Sequence, residues 1–390
     1  MTRNVRKSGW LISLCLLLIA AGAGCGRQAP ARPSEDRVVL AAIGAFSGEG
    51  SDASRGIVRG VEIAIEEYNS NPANPFNAQL QTADTLRTTE GTSKAAQEIL
   101  ALPGLVGAVG PFRAEELAIA GPIFDAARLP FVVPSVTDNA VGGWTAFRRL
   151  VPTEAQAGEA AGADAAARAR RGTVALFYDP GPLSTTAAAG AKKAVEEAKA
   201  NLTRYEVIDA KTDLTKLSGG LAGETPAVTI YFGPLNRASE LAKALKAARY
   251  SGRLMVGKAA RDKGFTESVA EGGDGVLGTS VSADPADSRL GSFVFAHEER
   301  FGRLPAPFAA EAYEGALMLL EALRDVRPPP RPEAITNFFA EARVFLGDTK
   351  TYEFSDKGEL TSSPIWILEL KGGRWRLLGR SRDIRPKPTG

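Results

Sequence analysis

Small hydroxyl-bearing and charged residues recur on the segments that directly follow short apolar runs. Ser47 and Gly48 lie in Gly44-Ala45-Phe46-Ser47-Gly48-Glu49-Gly50, after the run Val38–Ile43. Phe112, Arg113 and Ala114 come after Leu105–Val109, and Ser135, Val136 and Thr137 come after Phe131–Val133. Asp179 and Leu183 follow Thr173–Tyr178, Phe232 closes Ala227–Phe232 with Leu235 close behind, and Lys258 and Ala259 follow Leu254–Val256. Hydroxyls and glycines at such positions can bring a side chain or bare backbone against a ligand. A catalytic set is harder to assemble. The chain has one histidine and two cysteines, which excludes a Cys/His zinc site and a disulfide scaffold. His297, in Phe295-Ala296-His297-Glu298-Glu299-Arg300, reads as a surface residue of a polar helix without a nucleophile beside it. Asp84, Asp179 and Asp274 stand near strand ends but form no acid pair at fixed spacing, as glycosidase chemistry would need. The glycine-rich loop at 44–50 lacks the GK[ST] of a phosphate cradle, and no Gly-x-Ser-x-Gly elbow occurs. The residues favour holding a ligand over transforming it, with no cofactor implied.

The elements that must position these residues alternate. Val38–Ile43 is a continuous apolar run, the mark of a strand buried on both faces. Ile57, Val61, Ala64, Ile65 and Tyr68 then form a helical stripe with Glu62, Glu66 and Glu67 off it, stopped by Asn69-Ser70-Asn71-Pro72. Ala238, Leu241, Ala242, Leu245 and Ala248 repeat the helical spacing between later strands. Strand–helix alternation predicts βαβ units and parallel sheets, whose ligands sit beyond the carboxyl ends of the strands. With 390 residues and about 150 residues per domain, two α/β lobes are expected. Hydrophobic residues at 44% and charged residues at 24% are globular values, and a net charge of +2 with interspersed signs offers no face for nucleic acid. Pro328-Pro329-Pro330 reads as a surface loop and residues 381–390 as a frayed tail.

The first 24 residues read as an export signal. Arg3, Arg6 and Lys7 precede the apolar run Leu11–Ala21, which is short for a permanent span, and Gly22-Ala23-Gly24 leads into Cys25. This layout resembles a bacterial lipoprotein signal, which implies lipidation of Cys25, although Gly22 stands where a Leu-like residue is usual. An ordinary secretory signal or an uncleaved anchor is the alternative. Loss of residues 1–24 removes three positive charges and leaves a net charge of −1. Residues 25–36 are small, polar and proline-containing, suited to a flexible tether.

Taken in order, the strand-end segments, the helix with Gly60-Val61-Glu62-Ile63-Ala64, and Phe354-Ser355-Asp356-Lys357-Gly358-Glu359 resemble the type I periplasmic-binding-protein family, in its branched-chain amino-acid branch. The likeness runs from about residue 37 to 380. It implies two Rossmann-like lobes with parallel-sheet cores, joined by three crossings and closing on ligand as a clamp. Lobe one would comprise 37–150 and 281–345, and lobe two 151–280 and 346–380. Thr137 falls on the family threonine that, with nearby amides, holds a ligand carboxylate; Ser135 and Val136 would add backbone groups. Other positions depart from the pattern: the supporting serine falls at Ala114 beside Arg113, the packing aromatic near Leu235, and the acid that meets a ligand ammonium near Lys258 or Ala259. If Lys258 faces the cleft, an anionic or neutral ligand is expected; if not, Asp179 or a carbonyl could take the ammonium of a branched-chain amino acid. The resemblance implies a monomeric, non-enzymatic solute-binding lipoprotein that serves separate ABC permease and ATPase subunits. An anchored ligand sensor for a signalling protein shares the same fold, and an anchored hydrolase is a poorer fit.

Overall fold

A computed structural model describes residues 36–381, except 262, 270–272 and 325–331. The export signal, Cys25, all but the last residue of the tether, the Pro328–Pro330 loop and residues 382–390 lie outside the described residues. The chain begins β1 (Arg37–Gly44), α1 (Ser51–Ser70), β2 (Asn77–Asp84), α2 (Thr89–Leu100), β3 (Leu105–Val109), α3 (Ala114–Ala126), β4 (Phe131–Val133) and β5 (Phe147–Arg149). These five strands form one parallel sheet in the order β2-β1-β3-β4-β5. Every residue of β1 beyond Arg37 is buried, as its unbroken apolar run requires of a central strand.

The chain then crosses into α4 (Glu154–Ala169), β6 (Thr173–Tyr178), α5 (Pro182–Glu197), β7 (Asn201–Val207), α6 (Leu214–Glu224), β8 (Val228–Phe232), α7 (Leu235–Ala247), β9 (Arg253–Val256), α8 (Lys263–Val269) and β10 (Leu277–Ser280). It returns through α9 (Gly291–Phe301), α10 (Ala309–Glu321) and α11 (Pro332–Glu341), which pack with the first sheet. A two-stranded sheet, β11 (Val344–Leu346) with β12 (Thr351–Glu353), follows, and the antiparallel pair β13 (Trp366–Lys371) and β14 (Arg374–Arg380) ends the second sheet. That sheet runs β14-β13-β10-β9-β8-β6-β7, parallel from β7 to β10. The result is the two-lobed α/β architecture. The last segment divides between the lobes: Tyr352, Phe354 and Leu360 join the core around α1 and α10, whereas Ile367 and Leu370 join cores of the second lobe. Among the described residues no helix is long and apolar enough to cross a membrane.

Helices α4 and α5 show how closely elements meet in the second lobe. The Ala- and Gly-rich faces touch backbone to backbone, and a Cβ on Gly158 would lie 1.9 Å from the Ala187 carbonyl oxygen. His297 corrects the sequence expectation of a surface histidine. It is 1% exposed, set between Phe293 and Phe301, with Nδ1–H donating to the Arg303 carbonyl at 2.8 Å. Its exposed flank, Glu298 and Glu299, gave α9 a polar look that hides this buried face.

Candidate functional site

The carboxyl ends of β1, β3 and β4 face those of β8, β9 and β10 across a cleft of about 690 Å³. Of the candidates read from sequence, Phe112, Arg113, Ser135, Thr137, Phe232 and Lys258 line it. A smaller adjoining recess of about 200 Å³ adds Ala114, Val136 and Leu183, with Phe112, Arg113, Ser135, Thr137 and Lys258 shared between the two. Ser47, Gly48, Asp179 and Leu235 line neither. Ser47 sits on the exposed rim, and its hydroxyl is spent on Asp84. Burial alone would raise the Asp84 carboxyl, but that bond and the amides of Leu86 and Phe46 hold it below its usual range. Ser47, which its place after β1 suggested could meet a ligand, thus lies outside the cleft lining. Asp179 is likewise turned to its own loop, where it accepts from the Gly181 amide at 2.9 Å. Leu235 begins α7 and packs on the core of lobe two. Of Ala259, only its backbone in the turn Lys258–Arg261 is described.

Where the cleft meets the recess, Arg113, Ser135, Thr137 and Lys258 come together. Ser135 Oγ donates to the Phe112 carbonyl at 2.9 Å, tying the loop after β4 to the loop after β3. Arg113 occupies the N-cap of α3 without capping it by its side chain, and it lines the recess with Ala114 and with Glu115, whose carboxylate lies 3.6 Å from its guanidinium. Thr137 Oγ1 donates to Glu154 Oε1 at 2.6 Å, and the Glu154 amide donates to the Thr137 carbonyl at 2.8 Å. Glu154 opens α4, held by a capping box between Thr153 and Gln156. Burial pushes the Glu154 carboxyl above its ordinary value, and the Thr137 hydroxyl and the Lys258 charge offset this only in part. Lys258, exposed, starts the turn after β9 and lines both the cleft and the recess. The rest of the wall is largely apolar, with Ile57, Phe112, Phe232 and Phe308 as its largest members. Such a cleft can hold a carboxylate against cations, receive an amine at Glu154, and bury an apolar body.

Sequence reasoning missed much of the wall, including Ile57, Phe308 and the hydroxyls after β10, and it missed both remaining charged groups, Glu154 and Arg87. Glu154 carries no distinguishing sequence signal, because an acid in the first turn is a preference that every helix N-terminus shares. Arg87 lines the cleft from the loop after β2, a partly exposed edge strand whose polar sequence, NAQLQTAD, carries no apolar alternation.

Two α/β lobes with a ligand-sized cleft between opposed strand ends define a two-lobed binding protein. The sequence matches the periplasmic binding protein family over residues 37–374, and the chain belongs to that family. Solved structures share the fold at low identity. A leucine binding protein, LivK, from Thermotoga maritima is 19% identical with a TM-score of 0.68, covering 88% of this chain and 98% of that one. A putative branched-chain amino acid ABC transporter from Rhodospirillum rubrum is 18% identical with a TM-score of 0.76, covering 88% and 100%. A solute binding protein from R. palustris in complex with benzoate is 16% identical with a TM-score of 0.65, covering 88% and 96%. Comparison with curated proteins gives no match.

Proposed function

We propose that this protein is the extracytoplasmic solute-binding component of an ABC importer, exported and lipid-anchored through Cys25. Its ligand is a small carboxylate with an apolar body, and a branched-chain or related amino acid is the leading class. The observation that carries this reading is the convergence of Arg113, Thr137, Glu154 and Lys258 in a cleft whose wall is otherwise mostly apolar, with Arg87 and the hydroxyls of Ser54, Thr279, Ser280 and Ser282 as its further polar members. The carboxylate would lie toward Arg113 and Lys258, and the amine toward Glu154, which supplies the acid missing at position 258. Leucine and benzoate, named for two of the structural neighbours, share the carboxylate and the apolar body. Ligand bridging both lobes would stabilise the closed form over the open one, which is all that capture requires.

Calorimetric titration with leucine, its keto acid, its amide and benzoate tests the class. Binding of at least one carboxylate, weakened by Lys258→Ala and accompanied by contraction in small-angle scattering, supports it. Binding of the amide as tightly as of leucine refutes the carboxylate assignment, and recovery of a chemically altered ligand refutes a purely binding role. Labelling of cells with a clickable fatty acid tests the anchor: label that survives Cys25→Ala refutes it.

A further inference from the structure

Where the chain leaves the first sheet, a buried arginine gathers partners from two distant segments. Arg149, the last residue of β5 before the first crossing, is 1% exposed. Its guanidinium makes a fork to Glu359, with Nε to Oε2 at 2.5 Å and Nη2 to Oε1 at 3.2 Å. The remaining donors reach two carbonyls of the ligand-facing loop, Val136 through Nη1 at 2.5 Å and Val141 through Nη2. Gly142, at φ +141°, lies directly on the pair: a Cβ there would be 2.2 Å from Glu359 Oε1 and 2.8 Å from Arg149 Nη2. The turn that carries Glu359 belongs to the third crossing and bonds on both sides of the first. Gly358 accepts from the Arg149 amide at 2.9 Å, and Leu360 accepts from Gln156 Nε2, in the first turn of α4, at 2.7 Å.

We propose that Arg149 and Glu359 are positioning residues that fix the loop 134–142 to the first and third crossings, and so hold Thr137 in place against Glu154. Neither residue touches the cleft. A fully buried arginine needs a partner for its charge and for its donors, and the planar fork meets a carboxylate and two carbonyls at fixed directions, which a lysine ammonium could not do. The loop is therefore held from behind, by Arg149 and Glu359, while Ser135 and Thr137 line the cleft. This inference concerns the ligand-free protein and stands whether or not the importer reading holds.

Hydrogen–deuterium exchange on the full ligand-free chain tests it. Glu359→Gln, close in shape, is expected to speed exchange at least tenfold in the loop 134–142 and the first turn of α4. Exchange in β6 and β8, in the core of lobe two, is expected to stay as in the wild type. Glu359→Asp keeps the charge but shortens the reach, so the same local pattern is expected at smaller size, and it serves if the glutamine variant does not fold. Wild-type exchange in the loop, or an increase spread evenly over both lobes, would overturn the proposal.

Discussion

Thr137 of the first lobe and Glu154 of the second are joined twice across the base of the cleft, hydroxyl to carboxylate at 2.6 Å and amide to carbonyl at 2.8 Å. The hydroxyl proton is therefore already committed, so Thr137 meets an arriving ligand mainly as an acceptor or through its backbone. The acid beside it is partly desolvated and held above its ordinary value, first by burial. An ammonium arriving there would favour the ionised form, because an opposite charge at hydrogen-bond distance adds to the Thr137 hydroxyl bond against the effect of burial.

Discrimination between amine-bearing and deaminated ligands is accordingly expected to rest on Glu154. Glu154→Gln should lower the affinity for leucine about 10- to 100-fold, the worth of a charge-assisted hydrogen bond of about 1.5–3 kcal/mol, and should leave its keto acid nearly unchanged. Leucine affinity should also rise with pH through the Glu154 titration, since binding releases a proton there. Calorimetry in buffers of different ionisation enthalpy reads both effects. Equal losses for leucine and the keto acid would remove the amine-receiving role.

A second prediction concerns Asp287, which ties the returning chain to the end of the second sheet. Its Oδ2 accepts from Trp366 Nε1 at 2.9 Å and from Arg380 Nε at 2.8 Å, and both Asp287 and Arg380 are buried. Burial would raise this carboxyl, but the two bonds and the Arg380 charge bring it below its ordinary 3.8. A depressed carboxyl contributes stability that is complete above the ordinary value and is lost as pH falls through the folded one. Asp287→Asn leaves Arg380 buried without its counter-charge and is expected to cost about 3–5 kcal/mol at neutral pH. Denaturant unfolding from pH 2 to 7 should show the gap between wild type and variant closing at the acid end. A gap that is constant over that range would contradict the assignment.

How much of this was legible in the sequence depended on where each residue sits in a sheet or helix. β1, β3, β4, β6, β8 and β9 could be read because strands covered on both faces must be apolar throughout. β2 and β7 sit at sheet edges, with burial broken along their length, and polar sequences such as NLTRYEV give no such run. β13 and β14 carried a signal that went unused: Gly372 and Gly373, both at positive φ, separate two apolar stretches in the manner of a hairpin. In the site, Phe112, Arg113, Ser135, Thr137, Phe232 and Lys258 were found because a strand end is a sequence-visible place. Glu154 and the Arg149–Glu359 pair were not, because their meaning comes from a partner 17 or 210 residues away.

The meeting of α4 and α5 gives a packing prediction with an internal control. Gly158→Ala drives a methyl into the Ala187 carbonyl and should destabilise the protein by about 1–3 kcal/mol, the range for overfilling a close-packed contact. Gly219, in α6, has nothing within 4 Å of a new Cβ. Gly219→Ala should therefore stabilise by about 0.5–1 kcal/mol through helix propensity alone. Urea midpoints at equal m-values would check both signs. A neutral Gly158→Ala would show that the helices can separate without penalty.

The single histidine makes the last prediction unusually direct to read. His297 lies in an aromatic cluster, and burial lowers its imidazole below the ordinary 6.5, more than the hydrogen bond to the Arg303 carbonyl raises it; Arg59 and Arg303 push the same way as burial. The folded protein therefore keeps a neutral ring, with the proton on Nδ1 where the carbonyl accepts it, while the unfolded chain takes up a second proton near pH 6.5. Between the two values the unfolded state binds more protons, so stability falls as pH falls through that window. His297→Phe removes this dependence but leaves the Arg303 carbonyl without its donor, so a moderate loss at neutral pH, of about 1 kcal/mol, should shrink toward acid. Only one imidazole exists to give NMR signals in the full chain, so no assignment problem arises. Its chemical shift should show a titration midpoint below 6.5. A midpoint at or above that value would mean that the ring is solvated, as the polar sequence around it first suggested.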